Sequence, residues 1–110
     1  MVILRKRVYR SLSIEDKEKL LIAYDIIGSK WTIHILFTLS YGPKKFSEMN
    51  RSIPSISQRI LSRRLKDLQH HNLVKKTSLK CPPQTFYELT PKGVALATFI
   101  PCLMDWSTRN

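Results

Sequence analysis

Basic side chains recur with helical spacing in residues 57–71. At about 100° per residue, one side of a helix collects Arg59, Arg63, Lys66 and His70, with Ser62 beside them. The opposite side collects Leu61, Leu65 and Leu68. Such a helix would pack its leucines on a core and present its cations outward, as a helix in the major groove of duplex DNA does. A merely solvated basic face is the alternative interpretation.

The start of this segment carries side chains that can recognise base edges. Ser57, Gln58 and Arg59 stand at the predicted N-terminus, with Ser57 as the N-cap. In a helix-turn-helix, residues at this end of the second helix reach the bases. Gln pairs bidentately with adenine and Arg with guanine. We therefore predict that residues 57–71 form a recognition helix.

A short helix is predicted before it, over 45–52, with Pro54 closing the segment. In a helix-turn-helix this first helix crosses the DNA backbone. Lys44, Lys45 and Ser47 stand at its start, where free backbone N–H groups also favour phosphate. We expect these three residues to contact the DNA backbone.

A β-hairpin is predicted after the recognition helix, with strands over 73–79 and 85–89. The turn is placed at 80–83, because proline is excluded from central strands. Lys80 and Gln84 are candidates to contact a phosphate or the minor groove from a wing over 73–89. For Lys75 and Lys76 a simply solvated strand is an equal alternative.

The flanking segments complete the order of elements. A first helix starts after Ser13 and stops at Gly28, and a second, apolar nearly all round, starts near Lys30 and should be the buried central helix. A last helix follows Thr90 and runs to about residue 107, with Pro101 expected to kink or break it. The fold class predicted is mainly α with a β-hairpin wing (α+β), a winged helix-turn-helix.

The last helix has apolar residues on several faces, more than one small core can cover. We therefore expect a homodimer. The candidate interface residues are Leu20, Tyr24, Phe99, Ile100, Leu103 and Trp106. The alternative is that several of them only cover the first helix. A two-fold dimer would place its recognition helices about 34–36 Å apart and require an inverted-repeat operator.

Charge points to an anionic partner. The 110 residues include 19 Lys and Arg against 8 Asp and Glu, a net charge of +11. The longest nearly apolar stretch, 94–104, is too short to span a bilayer, so double-stranded DNA is favoured over a membrane and the cytoplasm is the expected location. The organisation predicted is a basic arm over 1–13, either flexible or on the DNA backbone, and one domain over 14–110.

Nothing in the sequence indicates an enzyme, a metal or a cofactor. His70 and His71 are adjacent on a helix and point about 100° apart, so they are not a convenient pair of metal ligands. Cys81 and Cys102 do not make a disulfide framework, although a redox pair stays open. Two other binding functions also stay open: a sequence-tolerant architectural DNA binder, and a winged helix used for protein contacts.

Several ordered segments resemble those of HxlR-type regulators. They are 27–32 (IGSKWT), 42–49 (GPKKFSEM), 56–68 (ISQRILSRRLKDL), the Pro82-Pro83 pair and 87–93 (YELTPKG). The resemblance implies a bacterial- or archaeal-type transcription regulator of the MarR-like class, dimeric through its first and last helices. No effector is implied for this chain.

Two departures from the family pattern matter. Many members carry a cysteine at the start of the first helix, a thiol that in some senses oxidants or electrophiles; the matching residue here is Glu18. The wing often carries arginine after its two prolines, and here it is Gln84. The resemblance therefore implies no thiol sensing at that position, and a weaker or displaced wing contact that Lys80 partly replaces.

Overall fold

Residues 13–109 are described by a computed structural model. In chain order their helices and strands are α1 (Ile14–Ile27), α2 (Lys30–Leu39), α3 (Phe46–Ser52), α4 (Gln58–His70), β1 (Val74–Lys80), β2 (Pro83–Leu89), α5 (Pro91–Ala97) and α6 (Phe99–Arg109). This order confirms the predicted winged helix-turn-helix. The basic arm predicted for 1–13 lies outside the described residues, apart from Ser13.

Hydroxyl side chains set the starts of four helices. The Oγ atoms of Ser13, Ser29 and Ser57 accept hydrogen bonds from the backbone N–H groups of the first turns of α1, α2 and α4, at 3.0–3.2 Å. Thr90 does the same for α5, where its Oγ1 accepts from the N–H of Gly93 at 3.0 Å. Each bond satisfies a donor that a helix leaves without an internal partner.

The core is built around α2, as its apolar pattern predicted. Ile35, Leu36 and Leu39 of α2 are buried. They belong to one apolar cluster with the α4 leucines and with Met49 of α3. Helix α2 contacts α3, α4, α5 and β2. The two helices of the helix-turn-helix are therefore anchored on a common central helix.

The wing is a two-stranded antiparallel hairpin. Lys80 pairs with Pro83 across the loop residues Cys81 and Pro82, which confirms the turn predicted over 80–83. The second strand was predicted to begin at residue 85 but begins at Pro83, because proline is excluded only from central strands. Pro83 is the first residue of a strand at a sheet edge, where a missing N–H is tolerated.

The base of the wing is fixed against α5 by a close backbone approach. The carbonyl oxygen of Leu73 accepts a hydrogen bond from the N–H of Thr90 at 3.0 Å. A Cβ atom built on Gly93 would lie 2.1 Å from that same oxygen. Position 93 therefore has no room for a side chain, and the glycine lets α5 lie directly on the backbone at the wing's start.

The predicted last helix is broken at Thr98 into α5 and α6. Pro101 explains the break, because it has no N–H to donate to the carbonyl of Ala97 and its ring would clash with that carbonyl in a continuous helix. In α6, Pro101 lies in the first turn, where no donor is required.

None of the described helices is long and apolar enough alone to cross a bilayer. Only α1 and α2 taken together have the required length and composition, and they are bent by 76° with respect to each other.

Candidate nucleic-acid interface

Helix α4 presents a row of cations to solvent. Arg59, Arg63 and Lys66 are exposed, whereas the leucines on the opposite side are buried. The ion pairs found within residues 13–109 involve none of these three side chains. Their positive charge is therefore not neutralised by a described carboxylate and is available to a polyanion. The structure brings these three residues together as predicted from the sequence.

Arg64 lies on the same helix but, unlike the three exposed cations, it is paired with a carboxylate. Its guanidinium lies 3.5 Å from the carboxylate of Asp67, and its side chain is only 32% exposed. It points away from the outward row and is partly neutralised. The outward basic row of α4 therefore consists of Arg59, Arg63 and Lys66, with His70 exposed at its C-terminal end.

The N-terminal turn of α4 carries polar groups that are still able to form hydrogen bonds. The Oγ atom of Ser57 accepts the N–H of Ile60 at 3.1 Å, which leaves its own O–H free to donate. Gln58 is exposed and Ser62 is half-buried beside the basic row. These three residues therefore lie within the N-terminal part of the helix, with Ser57 as its N-cap.

At the start of α3 one backbone donor is already engaged. The N–H of Lys45 donates to Glu48 Oε1 at 2.8 Å, so it is not free to receive a phosphate. The carboxylate reaches back over its own helix start, as in the acidic half of a capping box. The side chains at this end that could contact DNA are those of the half-buried Lys44 and Lys45 and the exposed Ser47.

Arg51 is a candidate that sequence reasoning did not single out. Together with Lys44, Glu48 and Ser52 it lines a shallow cleft beside α3. Arg51 carries the same charge as Lys44, but Lys44 precedes α3, so no helical spacing relates the two residues. The cleft depends on the loop before α3, and the sequence pattern therefore did not indicate it.

The wing is joined to the helix-turn-helix by a pair of backbone hydrogen bonds that the pattern of side chains did not predict. Lys44 and Tyr87 exchange hydrogen bonds at 2.9 and 2.8 Å in an antiparallel arrangement. The ammonium of Lys45 also lies 5.8 Å from the centre of the Phe86 ring. The wing and the first residues of the helix-turn-helix are thus held at a set separation.

Basic residues of the wing fall into two groups. Lys75 lies 3.2 Å from the carboxylate of Glu88, and Lys76 lies over the ring of Tyr87 at 5.9 Å. Lys80 stands exposed beside the two-residue turn and pairs with no carboxylate that the structure describes. Gln84 is half-buried two residues beyond that turn. Lys80 is therefore the cation best placed at the tip.

A second surface is apolar and lies on α1 and α6. No residue of α1 is buried, and Leu20 and Tyr24 are exposed, as are Leu103 and Trp106 of α6. Ile100 is different: it is only 3% exposed and belongs to the protomer's own core. Its assignment to an interface was wrong because the break at Thr98 turns it inward. Phe99 is half-buried and packs against the same core.

These features define a class: a winged helix-turn-helix with a basic recognition helix, the DNA-binding domain of a transcriptional regulator. The sequence model of the family described as "HxlR-like helix-turn-helix" matches residues 26–110. The chain therefore belongs to the HxlR-like helix-turn-helix family. It is a transcriptional regulator and not an enzyme, as predicted from the sequence.

Relatives and solved structures agree with this assignment. The chain is 36% identical over 88 residues to the HTH-type transcriptional regulator YodB of Bacillus subtilis, covering 79% of each chain. The structure of reduced YodB superposes with a TM-score of 0.73 at 32% identity, covering 88% of this chain and 92% of that one. A Porphyromonas gingivalis W83 protein assigned to the MarR family gives a TM-score of 0.81 at 30% identity, covering 92% and 99%.

Proposed function

We propose that the protein is a homodimer that binds an inverted-repeat operator in duplex DNA with sequence specificity. The observation that carries this proposal is the row of Arg59, Arg63 and Lys66, exposed and without a described carboxylate partner on a helix anchored by leucines. Because DNA is in the cytoplasm of a bacterial or archaeal cell, we expect the protein to act there.

Three parts of each protomer would contact one half-site. The N-terminal turns of α4 read base edges in the major groove, with Gln58, Arg59 and Arg63 as the residues able to discriminate bases. The other contacts go to phosphates or to the minor groove. They are assigned to Lys44, Lys45, Ser47, Ser57, Ser62 and Lys66 around the helix-turn-helix, and to Lys80 and Gln84 on the wing.

The dimer is proposed from the apolar surface of α1 and α6. Four of its members, Leu20, Tyr24, Leu103 and Trp106, are large and exposed. The protomer is also elongated, with a radius of gyration of 16.5 Å against about 13 Å for a compact domain of roughly this size. Helices that project and carry apolar side chains are stabilised when a second copy covers them.

A triple substitution tests the DNA proposal. Wild-type protein is first used to select an operator from random duplex DNA. Replacing Arg59, Arg63 and Lys66 by alanine should then abolish the preference for that operator and make the salt dependence shallower, since each lost phosphate contact lowers the slope by about 0.9. The wild-type slope should be roughly −7 if the dimer makes about eight phosphate contacts.

The matched control removes the same charge elsewhere. Lys17, Lys30 and Arg109 are exposed on α1, α2 and α6, away from α4, and their triple alanine variant carries the same net charge as the test variant. It should bind the operator nearly as the wild type does. An unchanged affinity of the α4 variant at low ionic strength would overturn the proposal, and a wild type without operator preference would favour an architectural role.

Sensing by a thiol at the start of α1 is not part of this proposal. Relatives of this chain include a protein solved in reduced and quinone-bound forms and another described as a redox regulator. The residue at the family's usual cysteine position is here Glu18, an exposed residue of α1. Any small-molecule signal to this regulator must therefore be sought at another site.

A further inference from the structure

A cavity of about 500 Å³ lies behind the proposed DNA-binding surface. It is bounded by the C-terminal end of α2, by the end of β2 and by the junction of α5 with α6. Its volume falls in the range of sites for small organic molecules. None of the residues proposed above to contact DNA lines it. It is therefore a separate candidate site.

The walls of the cavity are mostly apolar and partly aromatic. Leu89, Val94 and Pro101 contribute aliphatic surface, and Phe37 and Tyr41 contribute two rings. The rings are packed edge to face with their centres 5.3 Å apart. Apolar walls favour a lipophilic ligand, and aromatic faces attract a cation through their quadrupoles.

Hydrogen-bond donors along the α2 side of the cavity are already used. The N–H groups of Ser40, Tyr41 and Gly42 all donate to carbonyls of α2. The hydroxyl of Ser40 donates to the carbonyl of Phe37, and on the opposite wall the Thr98 hydroxyl donates to that of Ala95 at 2.7 Å. The two lining prolines have no N–H. Apart from the Tyr41 hydroxyl, an organic anion would therefore find few donors to replace its hydration.

One charged residue lines the cavity, and it is an acid. Glu88 is the only acidic or basic residue among the described residues that line the cavity, and its side chain is 33% exposed. Its carboxylate lies 3.2 Å from the ammonium of Lys75. We propose that this cavity binds a lipophilic organic cation, which packs on Phe37 and Tyr41 and competes with Lys75 for Glu88.

The cavity is continuous with the part of the molecule that holds the wing. Gly42 and Pro43 line it and lead directly to Lys44, whose backbone is bridged to Tyr87, the residue before Glu88. A ligand bound here would act on the separation between the wing and the helix-turn-helix. This consequence for DNA affinity depends on the proposed function, whereas binding of the cation does not.

Tetraphenylphosphonium is the probe for this site, and triphenylphosphine oxide is its uncharged comparator. Isothermal titration of the full chain without DNA should give one saturable site per protomer for the cation. The uncharged compound should bind about tenfold more weakly, because it lacks the attraction to the rings and to Glu88. Equal affinity for the two compounds, or no saturable binding of the cation, would overturn the proposal.

Two substitutions separate charge competition from a structural role of the ion pair. Glu88→Gln should weaken cation binding about fivefold, while Lys75→Met should strengthen it, because Lys75 no longer competes for the carboxylate. If the ion pair mattered only for the hairpin, both variants would weaken binding alike, and that result would refute the proposal.

A cavity-filling pair locates the bound cation. Val94→Trp places an indole at the cavity, whereas Ala95→Trp places one on the adjacent exposed residue outside it. Only the first should abolish cation binding, and circular dichroism should confirm that both variants fold. Equal loss in both would contradict the assignment.

The consequence for DNA is measured last, with the same probe. Saturating cation should change the affinity of wild type for its operator and leave that of Val94→Trp unaltered. If the wild type binds the cation but its operator affinity does not change, the coupling is refuted while the site stands. If the wild type binds no operator, the proposed function is refuted. The isothermal titration without DNA still tests whether the cavity binds the cation.

Discussion

Gly93→Ala tests whether the close contact between α5 and the base of the wing stabilises the fold. Helix propensity alone predicts that alanine stabilises this position by about 0.5–1 kcal/mol. The structure predicts the opposite sign. The added Cβ would lie 2.1 Å from the carbonyl oxygen of Leu73, a distance at which the backbone must move by about 1 Å.

The magnitude follows from the two hydrogen bonds that this movement disturbs. They are the bond from the N–H of Thr90 to Leu73 and the bond from the N–H of Gly93 to the Thr90 hydroxyl, each 3.0 Å long. A backbone hydrogen bond contributes about 1 kcal/mol and an N-cap about the same. After subtracting the gain in propensity, Gly93→Ala should lower the free energy of unfolding by about 1–1.5 kcal/mol.

Urea denaturation followed by circular dichroism measures this difference, at one fixed protein concentration because the stability of the proposed dimer would depend on it. Ala95→Gly is the matched control, since it makes the reverse change at an exposed position two residues along the same helix. It should cost about 0.5–1 kcal/mol. The reasoning is refuted if Gly93→Ala is as stable as the wild type or more stable, because propensity would then outweigh the close approach.

Three further outcomes are expected. Ser57→Ala removes the N-cap of α4 and should lower the free energy of unfolding by about 1 kcal/mol in urea denaturation, whereas no loss would mean that the bond to Ile60 contributes little. Ser55→Gly, in the turn between α3 and α4 where φ is +62°, should raise it by about 0.5 kcal/mol, and a decrease would contradict the strain argument. Leu103→Glu should yield a folded monomer in sedimentation equilibrium, whereas Ile100→Glu should unfold the protomer; a dimeric Leu103→Glu would exclude this surface of α6.

Local periodicity predicted the parts of the fold that depend on one segment at a time. The leucine and basic faces of α4 follow from spacing alone, because a helix places residues three and four apart on one side. The caps at Ser57 and Thr90 follow from side chains that compete for backbone donors. The class of fold followed from the order of these segments.

Features that depend on distant segments were not predictable in the same way. The bridge between Lys44 and Tyr87 uses backbone atoms only, so neither side chain reveals it. Ile100 was assigned to the interface although a break near Pro101 was expected, because the sequence does not show which apolar residues after the break the protomer's own core takes up. The carboxylate of Glu48 accepts a hydrogen bond from the N–H of Lys45 at the start of its own helix. It therefore occupies a position where a contact to phosphate was predicted.

The bridge between Lys44 and Tyr87 also bears on the entropy of association. If the wing and the helix-turn-helix were joined only by a flexible linker, each would lose conformational entropy on binding DNA. That loss would weaken the affinity. Here their relative orientation is already set in the free protein by a pair of short hydrogen bonds. In the proposed complex the duplex, rather than the protein, would therefore bend or adjust its groove width within a half-site. Sequences that deform easily would then be preferred even at base pairs that no side chain touches.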